Sequence, residues 1–403
     1  MAMHSPTTNM VSSQVLARPL IPAQGHGRRF ARRKAELLAA LATVIDAGVQ
    51  SGKYVQGTNV AALERQIAET WGVVAALAVN SGSSALRLAL ETLGIAAGRE
   101  VIMPALTFIA TAYAVSDAGL IPVFVDIDPK TFTIDPAAVC AAITRKTAAI
   151  IPVHLYGQTA DMQPIMEIAN ALGLFVIEDA AQAHGATYRC MDQVHYAGSI
   201  GDMGCFSMNG IKNMGGLGDG GLITISERTL AQFPDAIAHL RGLRDLGRTG
   251  QQRYTHDTWG WRGRMDEFTA LECLLELAEL EQWNERRRAI AARYTAALAS
   301  TSLQAPAAAP GREHVYFAYP VLAPSMTLRV DFEQALVEAD VEVVDTYSLV
   351  SDQRLYRDGH IPCRAMPLHV ARDVVGRITH LPLYPEMEDE EIERIIAVVR
   401  QWA

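Results

Sequence analysis

The sequence predicts an α/β protein with a mainly parallel central sheet and helices on both of its faces. Three observations lead there. Between Trp71 and Ser226, short apolar runs take turns with stretches of helical periodicity, the arrangement of repeated strand–helix–strand units. The runs are near-continuously apolar, which is how strands buried on both faces read. After about Asp266 the alternation gives way to one long helical pattern and a shorter second set of elements, so a smaller C-terminal α/β domain is expected.

Taken in order, the expected strands are VVAALAV (73–79), IPVFV (121–125), TAAIIPV (147–153), LFVIED (174–179) and GLITIS (221–226). Helical patterns lie between them at roughly 84–94, 107–118, 135–143 and 161–172. Sheets of this kind bind ligands at the carboxyl ends of their strands, so the loops that follow the strands are where chemistry is expected. Further on, Leu271, Leu274, Leu275 and Ala278 recur at i, i+3, i+4 and i+7 and mark one face of a long helix. An Ala/Pro-rich segment (304–311), a strand signal VYFAYPVL (315–322) and a last helix bearing Ile392, Ile395, Ile396 and Val399 follow. The acidic start of that helix, Glu388 to Glu391, suits a helix N-terminus. The division expected is a basic, poorly ordered arm over 1–35, a large domain over 36–285 and a small one over 286–403.

Composition narrows the class. With 403 residues, 50% hydrophobic and 20% charged, the chain has ample material for a core and is ordinary for a globular enzyme. Its formal charge of −9 is uneven: residues 1–35 hold six bases and no acid, so the remainder is more acidic still. Such a body lacks the positive footprint that nucleic-acid binding needs. Five cysteines without CxxC spacing suggest neither a disulfide framework nor a thiolate zinc site, and a reducing, cytoplasmic compartment fits. The longest apolar stretch, Val101 to Ser116, is broken by Pro104 and stopped by Asp117, short of the roughly 20 residues a membrane span needs. The Arg-rich, acid-poor start is compatible with a transit peptide as well as with a plain basic arm.

Three motifs carry chemistry. In CFSMNGIKNMGGLGDGG (205–221) a lysine, Lys212, precedes five glycines in seven positions. Those glycines serve either permissive backbone or close approach to a ligand, and the order is not that of a P-loop, where the lysine follows the glycines. Taken alone, Lys212 is equally a solvated lysine beside a flexible turn. In IEDAAQAHG (177–185) a strand ends on Asp179, placed either to hold a proton on a heteroaromatic nitrogen or to cap the next turn. NSGSS (80–84) joins a strand to a helix through small residues, and backbone N–H groups there can take a phosphate. Together, a phosphate cradle, a strand-end acid and a lysine before glycines are what pyridoxal 5′-phosphate requires: a Schiff-base lysine and a partner for its ring nitrogen.

The ordered set SGSSAL, PALTFIAT, VDID, PVHLYGQ, EDAAQAHGA and FSMNGIKNMGGLGDGG resembles the DegT/StrS-type sugar aminotransferases, which are fold-type-I (aspartate aminotransferase-like) pyridoxal-phosphate enzymes. The resemblance runs from about Gly52 to the last helix and is weakest over 300–370. It implies that Lys212 carries the cofactor and shuttles the proton, its amine depressed in pKa so that it can act as a base, and that Asp179 pairs with the ring nitrogen. Phe108 would stack on the ring, Gln182 would approach its hydroxyl side, and Ser83, Ser84 and Ser207 would hold the phosphate. Where the family usually has an asparagine that reaches the neighbouring subunit's phosphate, this chain has Arg262, suited either to that contact or to an anionic substrate. His184 would lie beside the site, as a packed structural residue or a substrate contact.

The activity so implied is transfer of an amino group from glutamate or glutamine to a keto group of a nucleotide-activated sugar, in a homodimer with shared active sites. Within the family the alternative substrate is a cyclitol or other carbocyclic ketone (scyllo-inosose-like). A pyridoxal-phosphate sugar dehydratase is disfavoured by the lysine, since those relatives carry histidine there, and a non-catalytic regulator by the intact lysine, acid and cradle. Tyr347, Arg354, Tyr356 and Arg357 are the residues of the weak stretch that could meet substrate.

Overall fold

The computed structural model describes residues 19–190, 192–250 and 254–403. Among them the strands, in chain order, are β1 (Ala75–Val79), β2 (Glu100–Pro104), β3 (Ile121–Val125), β4 (Thr147–Ile150), β5 (Phe175–Asp179), β6 (Thr187–Cys190), β7 (Gln193–Tyr196), β8 (Met203–Ser207), β9 (Gly221–Ile225), β10 (Arg312–Glu313), β11 (Tyr319–Leu322), β12 (Arg364–Ala365) and β13 (Ile378–Leu381). Eight of them form one sheet in the order β1-β9-β8-β5-β4-β2-β3-β12. Every neighbouring pair is parallel except the two that involve β9. This is the expected mainly parallel sheet, and its central strands are buried on both faces because each is covered by helices on either side.

The parallel strands all end at the same edge, and helices begin there. Helix α1 spans His26–Ser51, α2 Thr58–Trp71, α3 Gly82–Thr92 and α4 Ile109–Asp117. Helix α3 starts because Ser81 is extended and its Oγ accepts the Ser84 N–H at 3.1 Å, a side-chain N-cap. One buried cluster joins Leu77, Leu86, Met103, Phe124, Ile177 and Ile223 across the sheet. A second, around Tyr294, Tyr319, Phe332, Ile392 and Ile395, underlies the small antiparallel pair β11–β13.

Three expectations differ from what is found. The basic arm is helical where it is described: α1 begins at His26, with Arg28 ion-paired to Glu391 at 2.6 Å and Arg29 to Glu276 at 2.6 Å. No order was expected there because the acids that Arg28 and Arg29 meet lie more than 240 residues away in sequence; the part of the expected arm over 1–18 lies outside the described residues. The strand signal at 315–322 yields only Tyr319–Leu322, because Tyr316 adopts a left-handed φ of 46° that breaks the extended run. The division at 286 falls inside the helix Glu267–Leu298, and Leu349, Val350 and Tyr356 pack on the large core rather than the small one.

Candidate active site

The sheet register assembles the site. Gly221 sits between Val79 on one side and Ser207 on the other, and Asp179 lies beside Cys205. The β1–α3 turn, the end of β5 and the β8–β9 loop that carries Lys212 therefore meet at one edge. None of the five glycines has a positive φ; four of them, Gly215, Gly216, Gly220 and Gly221, lie against other parts of the protein, while Gly218 is open. A Cβ on Gly221 would lie 2.3 Å from the Ser81 carbonyl carbon, and one on Gly82 would lie 2.9 Å from the Ser207 Cβ.

These chain ends line a cavity of about 490 Å³, with Ser83, Phe108, Asp179, Gln182, Ser207 and Lys212 in its wall. Lys212 is half-buried, with its Nζ 4.4 Å from the centre of the Phe317 ring. The surface it shows faces the cavity rather than bulk water. Burial pushes its amine down to about 8, against the opposing pull of the Asp179 charge. Asp179 is buried; its Oδ2 accepts from Thr111 Oγ1 at 2.8 Å and its Oδ1 from the Ala181 N–H at 3.2 Å. Burial raises its pKa above the ordinary carboxylate value, and the Thr111 and Ala181 bonds and the Lys212 charge only partly offset that.

One end of the cavity is built by the start of α3. Its first intrahelical bond runs from Ala85 N to Ser81 O at 3.0 Å, which leaves the N–H groups of Gly82 and Ser83 at the free start of the helix, where an anion is favoured. Ser207 completes this end, its Oγ accepting from Asn209 N at 3.4 Å. Ser84 lies outside the cavity, on an adjoining groove that also takes in Phe108, Tyr113 and Trp261.

Gln182 is in the wall, but both ends of its amide are engaged: Oε1 accepts from Tyr156 N at 2.7 Å and Nε2 donates to Tyr347 Oη at 3.1 Å. Phe108 is 53% exposed, its ring centre 6.0 Å from that of Tyr347. Arg262 is exposed and does not reach its own chain's cavity; it is paired in extended fashion with Asp245, and its neighbour Gly263 accepts the Asn80 N–H at 2.9 Å. His184 is fully buried against Phe206, and burial and the Lys212 charge push it down to about 3. Of the four candidates from the weak stretch only Tyr347 lines the cavity: Tyr356 bonds Ser116, while Arg354 and Arg357 pair with Asp358 on the surface.

Sequence reasoning missed Thr111, Phe317 and Arg29. Thr111 stands inside PALTFIAT and was within reach of a motif-based search. Phe317 follows the left-handed Tyr316, and Arg29, which donates to the carbonyls of Gly210 (2.7 Å) and Lys212 (3.0 Å), lies in a segment with no motif.

A sheet of this topology with a lysine, a buried strand-end acid and a helix start on one cavity defines a fold-type-I pyridoxal-phosphate enzyme. The chain belongs to the DegT/DnrJ/EryC1/StrS aminotransferase family, whose sequence profile matches residues 36–400. It is 36% identical, over 96% of this chain and 99% of the relative, to UDP-N-acetyl-3-dehydro-alpha-D-glucosamine 3-aminotransferase of Acidithiobacillus ferrooxidans. A dTDP-3-amino-3,4,6-trideoxy-alpha-D-glucose transaminase of Streptomyces venezuelae is also 36% identical, over 96% of this chain and 97% of that one. Among solved structures, S. venezuelae DesV superposes with a TM-score of 0.86 at 35% identity, covering 96% of this chain and 99% of that chain.

The protein is accordingly a pyridoxal-phosphate-dependent aminotransferase. Its cavity suits the cofactor chemically: an amine pushed down by burial, a buried carboxylate of raised pKa and a free helix start lie on one wall. When bound, the cofactor supplies an electron sink for amino-group transfer. Among the described residues no helix is long and apolar enough to cross a membrane.

Proposed function

We propose that this enzyme transfers the amino group of glutamate or glutamine to a keto group, at ring position 3, of a nucleotide-activated sugar. The observation that carries the substrate is the pair of relatives at 36% identity, which by name act on UDP- and dTDP-linked sugars and place nitrogen at that position.

In this reading Lys212 and Asp179 are the catalytic residues. Lys212 holds the cofactor covalently and, once released, takes and returns the proton; an amine pushed down to about 8 is partly neutral at physiological pH and so can act as a base. Asp179 holds the proton on the ring nitrogen, with Thr111 fixing the carboxylate. Ser83, Ser207 and the start of α3 hold the phosphate, with Ser84 in support, Phe108 covers the ring, and Gln182 orients Tyr347 against its hydroxyl side.

The working unit is a homodimer with shared sites. An exposed Phe108, Tyr113 and Leu355 border the groove beside the cavity; Arg262, exposed between the groove residues Trp261 and Gly263, is the residue assigned in this reading to the neighbouring subunit's phosphate. We place the enzyme in the cytoplasm, in agreement with its free cysteines.

The test is a panel of acceptors given to enzyme preloaded with pyridoxamine phosphate: UDP-N-acetyl-3-dehydroglucosamine, a dTDP-linked 3-keto sugar and scyllo-inosose. Recovery of the cofactor's visible absorbance with a nucleotide sugar is expected, and recovery with the inosose alone would overturn the substrate assignment.

A further inference from the structure

A second cavity, of about 320 Å³, adjoins the first and shares Phe108, Ile211 and Tyr347 with it. Phe317 connects the two chemically, being part of this wall while its ring lies against Lys212 Nζ. Much of the remaining wall comes from residues 23–29, the helix Glu267–Leu298 and the segment 380–386.

Arg287 on that helix is 6% exposed and donates from Nη1 to the Leu383 carbonyl at 3.0 Å. Its Nε is buried without a hydrogen-bond partner, and among the described residues no carboxylate forms an ion pair with it. Glu276 is bonded to Arg29 and Arg33, and Glu386, which lines the same cavity, offsets part of the Arg287 shift through its charge without forming an ion pair. Burial and the nearby Arg29 push the guanidinium down to about 9. A buried arginine without a counterion is costly unless an anion completes it.

Other orphaned groups surround it. Tyr156 Oη, Tyr384 Oη and both ring nitrogens of His380 are buried without hydrogen-bond partners, and all three residues line this same cavity. Burial raises both phenols above their ordinary pKa, so they remain hydrogen-bond donors, and pushes His380 down to about 4, so it is neutral. Buried polar atoms in native proteins are nearly always satisfied, and a cluster of unsatisfied ones marks a place for a ligand. Donors around one guanidinium specify a planar anion rich in acceptors. The space is at the small end of ligand pockets, which span about 300–1,000 Å³; an amino acid fits it and a nucleotide diphosphate does not.

We infer that Arg287, with Tyr384 and Tyr156, binds the carboxylate of the α-amino acid that donates nitrogen, while the larger acceptor enters by the open groove. This rests on the aminotransferase reading above and assigns its two substrates to different walls. The test is single-turnover kinetics on the cofactor-loaded Arg287→Gln, Arg287→Lys and Tyr384→Phe proteins, followed as loss of visible absorbance with glutamate or glutamine and as its recovery with the keto-sugar. For Arg287→Gln the apparent dissociation constant for the donor should rise at least about tenfold. Cofactor content and the keto-sugar half-reaction should be unchanged, with Arg287→Lys intermediate. Binding of unreactive glutarate, measured by calorimetry, should weaken in parallel. Donor affinity unchanged in Arg287→Gln overturns the inference, as does equal weakening of both half-reactions. A wild-type protein that loads cofactor but responds to neither amino acid counts instead against the donor class itself. Should Arg287→Gln fail to fold, Tyr384→Phe carries the same comparison, with several-fold weakening expected for the donor alone.

Discussion

Arg29 Nη2 lies 3.0 Å from the carbonyl oxygen of Lys212, and the same guanidinium holds Glu276 at 2.6 Å. The helix that opens the described chain is thus fastened to the loop that carries the reactive amine. Burial pushes Glu276 up to about 7, and Arg29 opposes that shift. In Arg29→Gln only Arg33, at 3.2 Å, remains, so a loss of up to about 3 kcal/mol is expected. Because the folded pKa of Glu276 lies above its unfolded value, stability falls as pH rises toward and through 7. Thermal melts should show a larger deficit for the variant at pH 8 than at pH 6.

With Lys212 as the proposed cofactor lysine, its amine is expected to set the pH at which cofactor enters. With its amine near 8, the neutral nucleophile grows as pH rises through that value. Stopped-flow loading of the apo-protein, followed by visible absorbance, should accelerate from pH 6.5 to a plateau above about 8.5, and Lys212→Ala should develop no such band.

Thr111 tunes Asp179. Removing its hydroxyl in Thr111→Val leaves the buried carboxylate with the Ala181 N–H and raises its pKa further, since the Thr111 bond lowers it. The acidic limb of the pH–rate profile should move to higher pH, with turnover down about tenfold, and Thr111→Ser should restore both.

Close backbone approach at Gly221 makes that position intolerant. A methyl group there meets the Ser81 carbonyl and must push the start of α3 away from β8 and β9. Overpacking of this kind costs about 1–3 kcal/mol, so cofactor affinity in Gly221→Ala, read by absorbance titration, should fall roughly ten- to a hundredfold.

Arg262 tests the sharing of sites. If it serves the neighbouring subunit, inactive Lys212→Ala and impaired Arg262→Ala proteins should regain activity when mixed and allowed to exchange subunits, since each mixed dimer then holds one complete site. Mixtures no more active than their parts would place Arg262 elsewhere.

Much of this was legible in the residues. Strands β1, β3, β4, β5 and β9 were visible because each is a short run buried on both faces; Asp179 ends one of them, Lys212 was marked by the glycines after it, and Ser83 and Ser207, as individual residues, came only from the family resemblance. The strand MGCFS (203–207) was not, since methionine and glycine carry no strand signature even where tertiary pairing makes one. Nor was Arg287, one of three consecutive arginines that composition cannot distinguish: only packing places Arg287 inside and Arg288 on the surface beside Glu281. Contacts such as Arg29 to Glu276 and Arg28 to Glu391 join residues 247 and 363 positions apart, and no local pattern encodes them.

The wall that encloses the second cavity has an order of assembly written into it. Ile21 bridges to Val341, Arg28 grips Glu391, and residues 23–29 face residues 380–386 across the same space. A ribosome delivers the amino end first, so Arg28 waits for a partner made 363 residues later. Most strands of the large sheet are made well before residues 380–386, so the second cavity gains its last wall only after the sheet has the means to form.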